Sequence, residues 1–201
     1  MQITTTTDIA TEKSIKPVEV SRIVLYPEIS ITYPIRPWTF WYKKATVLNP
    51  QLPWEENLIK IDTVRDVNYL WKLLNHIIQP SINHLNTSLF VFDEKSLPVW
   101  EHETNSGAGR WIIILKPNRC LTKTWNNLVL SVIGDRFSEV SSDINGISVH
   151  VKSTSSKITL WTTKITLENY KNILMIGLIA QKVIGHQIRR IHYFTHNRLL
   201  K

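Results

Sequence analysis

Alternating apolar and polar positions predict β-strands along much of the chain. The alternation is clearest where Ile147, Val149 and Val151 are separated by polar residues, and Ile158 and Leu160 repeat it shortly afterwards. Other stretches are rich in aromatic and β-branched residues, which favour pleated structure. Strands are therefore predicted at 38–42, 58–61, 88–92, 110–116, 146–152, 157–163 and 188–194.

Three further segments carry apolar residues at helical spacing. The first begins at Asp62-Thr63, and one face of it collects Val64, Val67, Leu70, Trp71, Leu74, Ile77 and Ile78. The second covers 122–133 and leaves Leu130 outward, opposite a core stripe of Leu121, Trp125, Leu128, Val129 and Val132. The third covers 166–183. Mixed strands and helices predict an α+β fold with the helices on one side of an antiparallel sheet.

The two clearest strands are joined by the short polar segment 153–156, which predicts a hairpin. In that hairpin Lys152 is expected opposite Lys157, and His150 opposite Thr159. One face then carries Ser148, His150, Lys152, Lys157, Thr159 and Trp161. Two cations beside a large aromatic ring are typical of a ligand-binding surface.

Length and composition bound the class of protein. The 201 residues fit one domain, expected at 33–201, preceded by a Thr-rich flexible tail at 1–32. The net charge of +8 favours an anionic partner, with nucleic acid or nucleotide the first choice. A single cysteine excludes an intramolecular disulfide, and no apolar run resembles a signal peptide or is long enough to span a bilayer. We expect a soluble cytoplasmic protein, with a nuclear fraction as a second location.

Trp100-Glu101 is the most specific chemical signal in this basic chain. An indole beside a carboxylate suits guanine, because the N1–H and N2–H₂ donors of that base match a carboxylate in bidentate fashion. Trp54 and Trp100 both follow proline in predicted loops, which favours binding plates over core positions. Four other tryptophans fall where burial explains them: Trp38, Trp41, Trp111 and Trp125.

Catalytic and metal chemistry find no support in the sequence. Gly107-Ala108-Gly109-Arg110 lacks the Lys-Ser/Thr ending of a phosphate-binding P-loop, so it is interpreted as a turn. His192 and His196 have helical spacing in a strand-like segment without an acidic partner. We expect a protein without catalytic residues, cofactor or metal.

Short motifs in a constant order give a family resemblance from about Tyr33 to Leu200. The chain resembles the mRNA cap-binding translation initiation factor 4E family. The matching pieces are Trp38-Thr-Phe-Trp41, Trp54-Glu-Glu-Asn57-Leu58, Asp62-Thr63-Val64, Asn75-His76-Ile77, Val99-Trp100-Glu101-His-Glu103, Gly109-Arg110-Trp111, Ile133-Gly134-Asp135, Lys157-Ile-Thr-Leu-Trp161-Thr-Thr163 and His196-Asn197-Arg198. The resemblance implies a strongly curved antiparallel sheet of about eight strands backed by three long helices, with the cap in the concave face.

The resemblance also implies roles for individual residues. Trp54 and Trp100 would sandwich 7-methylguanine, and Glu101 would accept from its N1–H and N2–H₂. The remaining cap contacts would come from Trp161 at the N7 methyl and from Lys157, Lys152 and, through water, Arg110 at the triphosphate.

A second surface follows from the same resemblance. Pro34, Val64, Trp71 and Leu130 match a patch that binds the Tyr-x-x-x-x-Leu-hydrophobic helix of the scaffold factor 4G and of competing 4E-binding repressors. The protein itself would be a monomer that does not contact membranes. About three extra residues between Asp66 and Trp71, and Asn126 and Asn127 in place of Leu and Glu, predict a weaker or altered partner contact.

Two other functions remain open at this stage. A repressor-type cap-binding homologue would sequester capped mRNA without recruiting the scaffold, and the altered patch is its support. A carbohydrate- or single-strand-binding module would also use tryptophan plates, but it leaves Glu101 unexplained.

Overall fold

A computed structural model describes residues 32–43, 57–81, 85–117 and 120–196. Within these ranges seven strands form one antiparallel sheet in the order β2-β1-β3-β5-β6-β4-β7. The strands are β1 Pro34–Lys43, β2 Ile59–Asp66, β3 Ser88–Asp93, β4 Gly109–Leu115, β5 Ile144–His150, β6 Lys157–Thr162 and β7 Ile188–Thr195. The predicted tail lies outside the described residues, except for residue 32.

Among the described residues, three helices pack against one face of this sheet, as the predicted α+β arrangement requires. They are α1 Val67–His76, α2 Leu121–Ile133 and α3 Tyr170–Ile184, and a 3-10 segment, Asp135–Asp143, follows α2. The predicted stripe of α2 is buried in the core, with Trp125, Leu128 and Val129 fully enclosed. No helix among the described residues is long and apolar enough to cross a membrane.

The two faces of the sheet carry different side chains because consecutive strand residues point to opposite sides. Ile147, Val149, Ile158 and Leu160 belong to the core beneath the helices, as predicted. The opposite face carries a smaller apolar cluster of Phe90, Phe92 and Trp161, with Trp41 and Leu58 packed against it. We call this opposite side the open face.

The first helix begins later than the sequence predicts. Asp62, Thr63 and Val64 lie in β2, where Val64 pairs with Trp38 of β1 and has no exposed surface. Asp66, rather than Asp62, caps the helix, because its carboxylate accepts from the Tyr69 backbone N–H at 2.9 Å. Pairing with β1 outweighs the helical spacing of the apolar residues in this segment.

The third helix also begins later, at Tyr170 rather than residue 166. Thr166 and Asn169 form reciprocal side chain–backbone bonds, with Thr166 N–H to Asn169 Oδ1 at 2.8 Å and Asn169 N–H to Thr166 Oγ1 at 3.3 Å. Such local bonds satisfy the backbone in a turn and compete with helix formation.

The predicted hairpin forms, but its register differs by two residues. His150, not Lys152, lies opposite Lys157, and Ser148 lies opposite Thr159. Beyond His150 the chain continues to pair with the segment before β3: Val151 N–H donates to Thr87 O at 3.0 Å, and Asn86 N–H donates to Val151 O at 2.8 Å. A shift of two preserves the predicted face and moves Lys152 into the connection.

Candidate nucleotide-binding site

Trp161 lies at the centre of the open face and is held on several sides. The ring has 6% of its surface exposed and meets Phe92 and His196 edge-on, with centroids 5.5 Å and 5.0 Å away. Its Nε1–H donates to Ser148 Oγ at 3.4 Å. Arg110, the cross-strand partner of Trp161, places its guanidinium carbon 5.1 Å from the indole centroid. This arrangement fixes the indole before any ligand arrives.

A cluster of cations extends from Trp161 along β6. Lys157 lies four residues before Trp161 on the same face, and its pKa is lowered by burial and then by the charges of Arg110 and Lys152. Burial lowers the pKa of Arg110 as well. Neither side chain has a carboxylate partner among the described residues. Cations that disfavour one another's charge form a site where an anion is stabilised.

His150 completes this cluster at the position that the sequence assigned to Lys152. Its Nδ1 is 2.8 Å from Ser88 Oγ on β3, while Lys157 faces it across the hairpin. Burial lowers the pKa of His150, and the charges of Lys157, Lys152 and Lys43 lower it further, against a backbone hydrogen bond with Thr87 that raises it. An imidazole in these surroundings is neutral near pH 7 until an anion approaches.

Trp100 and Glu101 lie in a loop whose backbone is held from inside. Trp100 is 48% exposed and Glu101 is also exposed. The fully buried Asn105 donates through Nδ2 to Leu97 O at 2.7 Å and to Val99 O at 2.8 Å. Asn145 of β5 in turn donates to Asn105 Oδ1 at 3.0 Å. This pair of buried amides positions an indole and a carboxylate at the surface, just before β4 begins.

The predicted cap residues lie in different parts of the structure. Arg110, Lys157 and Trp161 come together on the open face, and Lys152 lies in the connection between β5 and β6. Trp100 and Glu101 lie on the loop that leads into β4. Trp54 falls outside the described residues.

The predicted partner residues lie around α1 and α2. Pro34 is exposed and pairs with Asp66, the residue that caps α1, while Trp71 of α1 is 50% exposed. Leu130 of α2 is partly buried and lines a cavity of about 450 Å³. The other lining residues are Asn127, Ser131, Asp135, Arg136, Lys182 and Val183. Val64 belongs to the core, so it lies beneath this surface rather than on it.

Comparison with known proteins agrees with this geometry. The family model for eukaryotic initiation factor 4E matches residues 35–201. The chain belongs to the initiation factor 4E family. It is 32% identical to eukaryotic translation initiation factor 4E of Bos taurus over 174 residues, which cover 83% of this chain and 76% of that protein. The resemblance stated from the sequence motifs is confirmed.

Solved structures of other factor 4E proteins have the same fold. The Ascaris suum eIF4E-3 complex with the m7G cap has a TM-score of 0.71 and 26% identity, over 85% of this chain and 95% of that one. The C. elegans eIF4E-3 complex with the 4E-binding protein Mextli and cap analog has a TM-score of 0.71 and 26% identity, over 83% and 94% of the two chains. These likenesses confirm the predicted curved antiparallel sheet backed by helices.

Several residues that shape this factor 4E site were not predicted from the sequence. Asn105 and Asn145 belong to no recognisable pattern, and only burial of their amides reveals what they hold. His150 lies on the predicted polar face, but the register that brings it opposite Lys157 appears only in the fold. His196 lies in a motif of the resemblance, and its contact with Trp161 appears only in the fold.

Proposed function

We propose that this protein binds the 7-methylguanosine cap of mRNA and recruits a scaffold factor to start cap-dependent translation. One observation carries the proposal: Trp100 and Glu101 are presented just before β4, the strand that places Arg110 over Trp161 and beside the cation cluster. The arrangement would offer an aromatic plate, a carboxylate and cations for the phosphates to one nucleotide.

The base would bind through stacking and hydrogen bonding. Methylation at N7 makes guanine cationic, so an indole face attracts it electrostatically as well as by stacking. Trp100 would form one plate and Trp54 the other. Glu101 would accept from N1–H and N2–H₂, while Trp161 would contact the N7 methyl.

The triphosphate would bind to the cations of the open face. Lys157 and Arg110 are half-buried there and have no carboxylate partner in the part of the chain that the structure describes, so a bound anion would relieve their mutual repulsion. His150 would join them in the place expected for Lys152, opposite Lys157. Lys152, exposed in the connection, would add longer-range attraction that salt screens.

Relatives of similar fold support both halves of the proposal. Crystal structures show Ascaris suum eIF4E-3 with the m7G cap and with the m2,2,7G cap, at 26% and 27% identity to this chain. The C. elegans eIF4E-3 structure contains a 4E-binding protein together with a cap analog, at 26% identity.

The proposed role is that of a binding protein that catalyses no reaction and needs no cofactor or metal. Residues 33–201 would form the cap-binding domain, and residues 1–32 a flexible tail. The cytoplasm, where mRNA is translated, would be the main location, with a nuclear fraction alongside.

Fluorescence titration tests the cap site. Binding of 7-methyl-GTP should quench tryptophan emission with an affinity about ten to several hundred times that for GTP. Cation–π attraction adds about 1–2 kcal/mol, or about 5–30-fold, and the positive charge of the ring also makes N1–H a better donor to Glu101. Trp100→Ala should nearly abolish binding, since stacking contributes about 1–3 kcal/mol per base. Glu101→Ala should lose the preference for guanine.

Trp71→Ala is the matched control for that titration, because it removes an exposed indole from the helical side. It should leave 7-methyl-GTP affinity unchanged. Equal affinity of the wild-type protein for the methylated and unmethylated nucleotides would refute the cap-binding proposal.

The scaffold would dock on the helical side of the protein. Trp71 offers a half-exposed indole, Pro34 is exposed beside the start of α1, and Leu130 opens onto the cavity of about 450 Å³. An amphipathic helix with a Tyr-x-x-x-x-Leu-hydrophobic motif suits such a surface. Asn126 and Asn127 reduce its apolar area, so the contact should be weaker than in family members with Leu and Glu there.

Calorimetric titration with a peptide carrying the scaffold motif tests this surface. Trp71→Ala should reduce peptide affinity by about tenfold or more, as for a buried aromatic anchor, and leave cap affinity intact. Trp100→Ala serves as the reciprocal control. Unchanged peptide binding in Trp71→Ala would contradict the assignment, and no peptide binding by the wild-type protein would favour the repressor-type alternative.

A further inference from the structure

The edge strand β7 exposes a row of aromatic and basic side chains on the open face. Phe194 is opposite Arg110, His192 opposite Ile112, and Arg190 opposite Ile114. Directly opposed residues of antiparallel strands point to the same side of a sheet. We call Arg190, His192 and Phe194 the β7 strip.

The alternate residues of β7 confirm this orientation. Tyr193 packs edge-on against Trp111 at a centroid distance of 5.2 Å, and Ile191 belongs to the side covered by helices. The β7 strip therefore points away from the core. His192 and Phe194 meet edge-on at 4.7 Å, and Phe194 remains 50% exposed.

The β7 strip is continuous with the proposed cap site. Trp161, Arg110 and Phe194 follow one another across neighbouring strands. Phe194 is therefore about 10 Å from Trp161, since strands are spaced about 4.8 Å apart. Lys157, Ile114 and Arg190 form a second such row. A nucleotide strand that extended from the proposed phosphate site across β4 would reach the ring of Phe194 and the guanidinium of Arg190.

The charge of this strand also favours a nucleic acid as the ligand. Arg189 and Arg190 are both exposed on this edge strand, and Arg189 falls at the register irregularity between the pairs Ile114–Arg190 and Leu115–Ile188. Neither forms an ion pair among the described residues. Exposed cations beside an aromatic ring suit the phosphates and bases of a nucleic acid strand.

We propose that the β7 strip binds the single-stranded nucleotides of mRNA that follow the cap. Phe194 stacks on a base, and Arg190, assisted by Arg189, binds the phosphates. His192 supports the ring of Phe194 through their edge-on contact. The assignment rests on the proposed cap-binding function and extends it along the RNA.

The test compares ligands that differ only in the RNA beyond the cap. Affinity is measured for the cap dinucleotide, for a capped unstructured RNA of about ten nucleotides, and for the same RNA uncapped. The wild-type chain should bind the capped RNA about three to ten times more tightly than the dinucleotide at low salt. Phe194→Ala and Arg190→Ala should lose most of that gain and keep dinucleotide affinity within about twofold.

Matched controls come from α3 on the other side of the sheet. Leu174→Ala removes an apolar side chain that is 54% exposed, and Lys171→Ala removes an exposed cation. Both should retain the full preference for capped RNA. In addition, Arg190→Ala should lower the slope of log affinity against log salt by about 0.7, the value for one contact to a single strand.

Three results would overturn the assignment. The capped RNA and the dinucleotide could bind equally, the β7 variants could behave as wild type, or Phe194→Ala could weaken both capped ligands alike. If the wild-type chain bound no dinucleotide, the proposed cap function would fail. The affinity for the uncapped RNA would then test the β7 strip independently of the cap. Weaker binding of that RNA to Phe194→Ala, but not to Leu174→Ala, would still support it.

Discussion

At the scale of single residues, His150 is a titratable group of the proposed phosphate site. Lys157 faces it across the hairpin, Ser88 hydrogen-bonds its ring, and Lys43 and Lys152 add positive charge nearby. Burial lowers the pKa of His150 below the ordinary value of 6.5 in the free protein, and the charges of these lysines lower it further. A bound phosphate chain reverses the sign of the local field and favours the imidazolium.

Cap affinity should consequently rise as the pH falls. The pKa of His150 is lowered in the free protein and would be raised by bound phosphates, so binding would take up a proton between the two values. The ratio of wild-type to His150→Gln affinity for the cap dinucleotide should increase about three- to tenfold between pH 8 and pH 5.5, since one pKa unit is worth about tenfold. Fluorescence titration across that range measures it.

Using the ratio removes the titration of the ligand itself, which both proteins share. A ratio that stays constant with pH would show that His150 does not meet the phosphates. Stability of the free protein should move oppositely: because the folded pKa is lowered, the contribution of His150 is present above 6.5 and is lost as the pH falls.

At the scale of elements, α3 is fastened to β4, the strand that carries Arg110. Trp111 donates through Nε1–H to Ile173 O of α3 at 2.8 Å, and its ring lies where a side chain on Gly177 would be. The start of α3 is held by Asp143, whose carboxylate accepts from Asn169 and Asn172 at 2.8 Å and 2.9 Å. Burial would raise the pKa of Asp143, but these bonds and one from Thr163 lower it.

Gly177→Ala should destabilise the protein through this contact. A Cβ there would lie 2.5 Å from two ring atoms of Trp111, so helix and strand must separate. Such overpacking costs about 1–3 kcal/mol, while alanine returns up to about 1 kcal/mol of helix propensity. The net loss should be about 1–2 kcal/mol in urea denaturation.

The exposed Leu174 of the same helix supplies the comparison, because Leu174→Ala should change stability by no more than about 0.5 kcal/mol. A Gly177→Ala midpoint equal to that of the wild type would mean that Trp111 does not constrain the helix.

The boundaries of elements show where sequence reasoning reached its limit. Alternating residues such as Ile147 and Ile158 placed the strands correctly, because their period reports burial directly. Val64 satisfies the spacing of a helix as well as that of a strand, and only its pairing with Trp38 decides between them. Turn lengths are similarly undetermined, which is why the hairpin register differed by two residues.

At the scale of the whole molecule, the fold and the family were predicted from the sequence, because its short motifs occur in the same order as in the initiation factor 4E family. The cation cluster was predicted in outline, because Lys157 and Trp161 share one strand face whatever the register. The supports of the Trp100 loop were not predictable. Asn105 and Asn145 are 40 residues apart, and their amides meet only in the folded sheet.

The strand order also determines the order in which the strands can pair during synthesis. β1, β2 and β3 become neighbours from the first 93 residues, whereas β4 pairs only with β6 and β7, which lie at 157–162 and 188–195. Such long-range pairings form slowly, because closing a large loop costs conformational entropy before the stabilising contacts are made. During synthesis both edges of β4 therefore remain unpaired until β6 and β7 have been made. The cations of the proposed phosphate site, Arg110 on β4 and Lys157 on β6, can therefore come together only after most of the domain has left the ribosome.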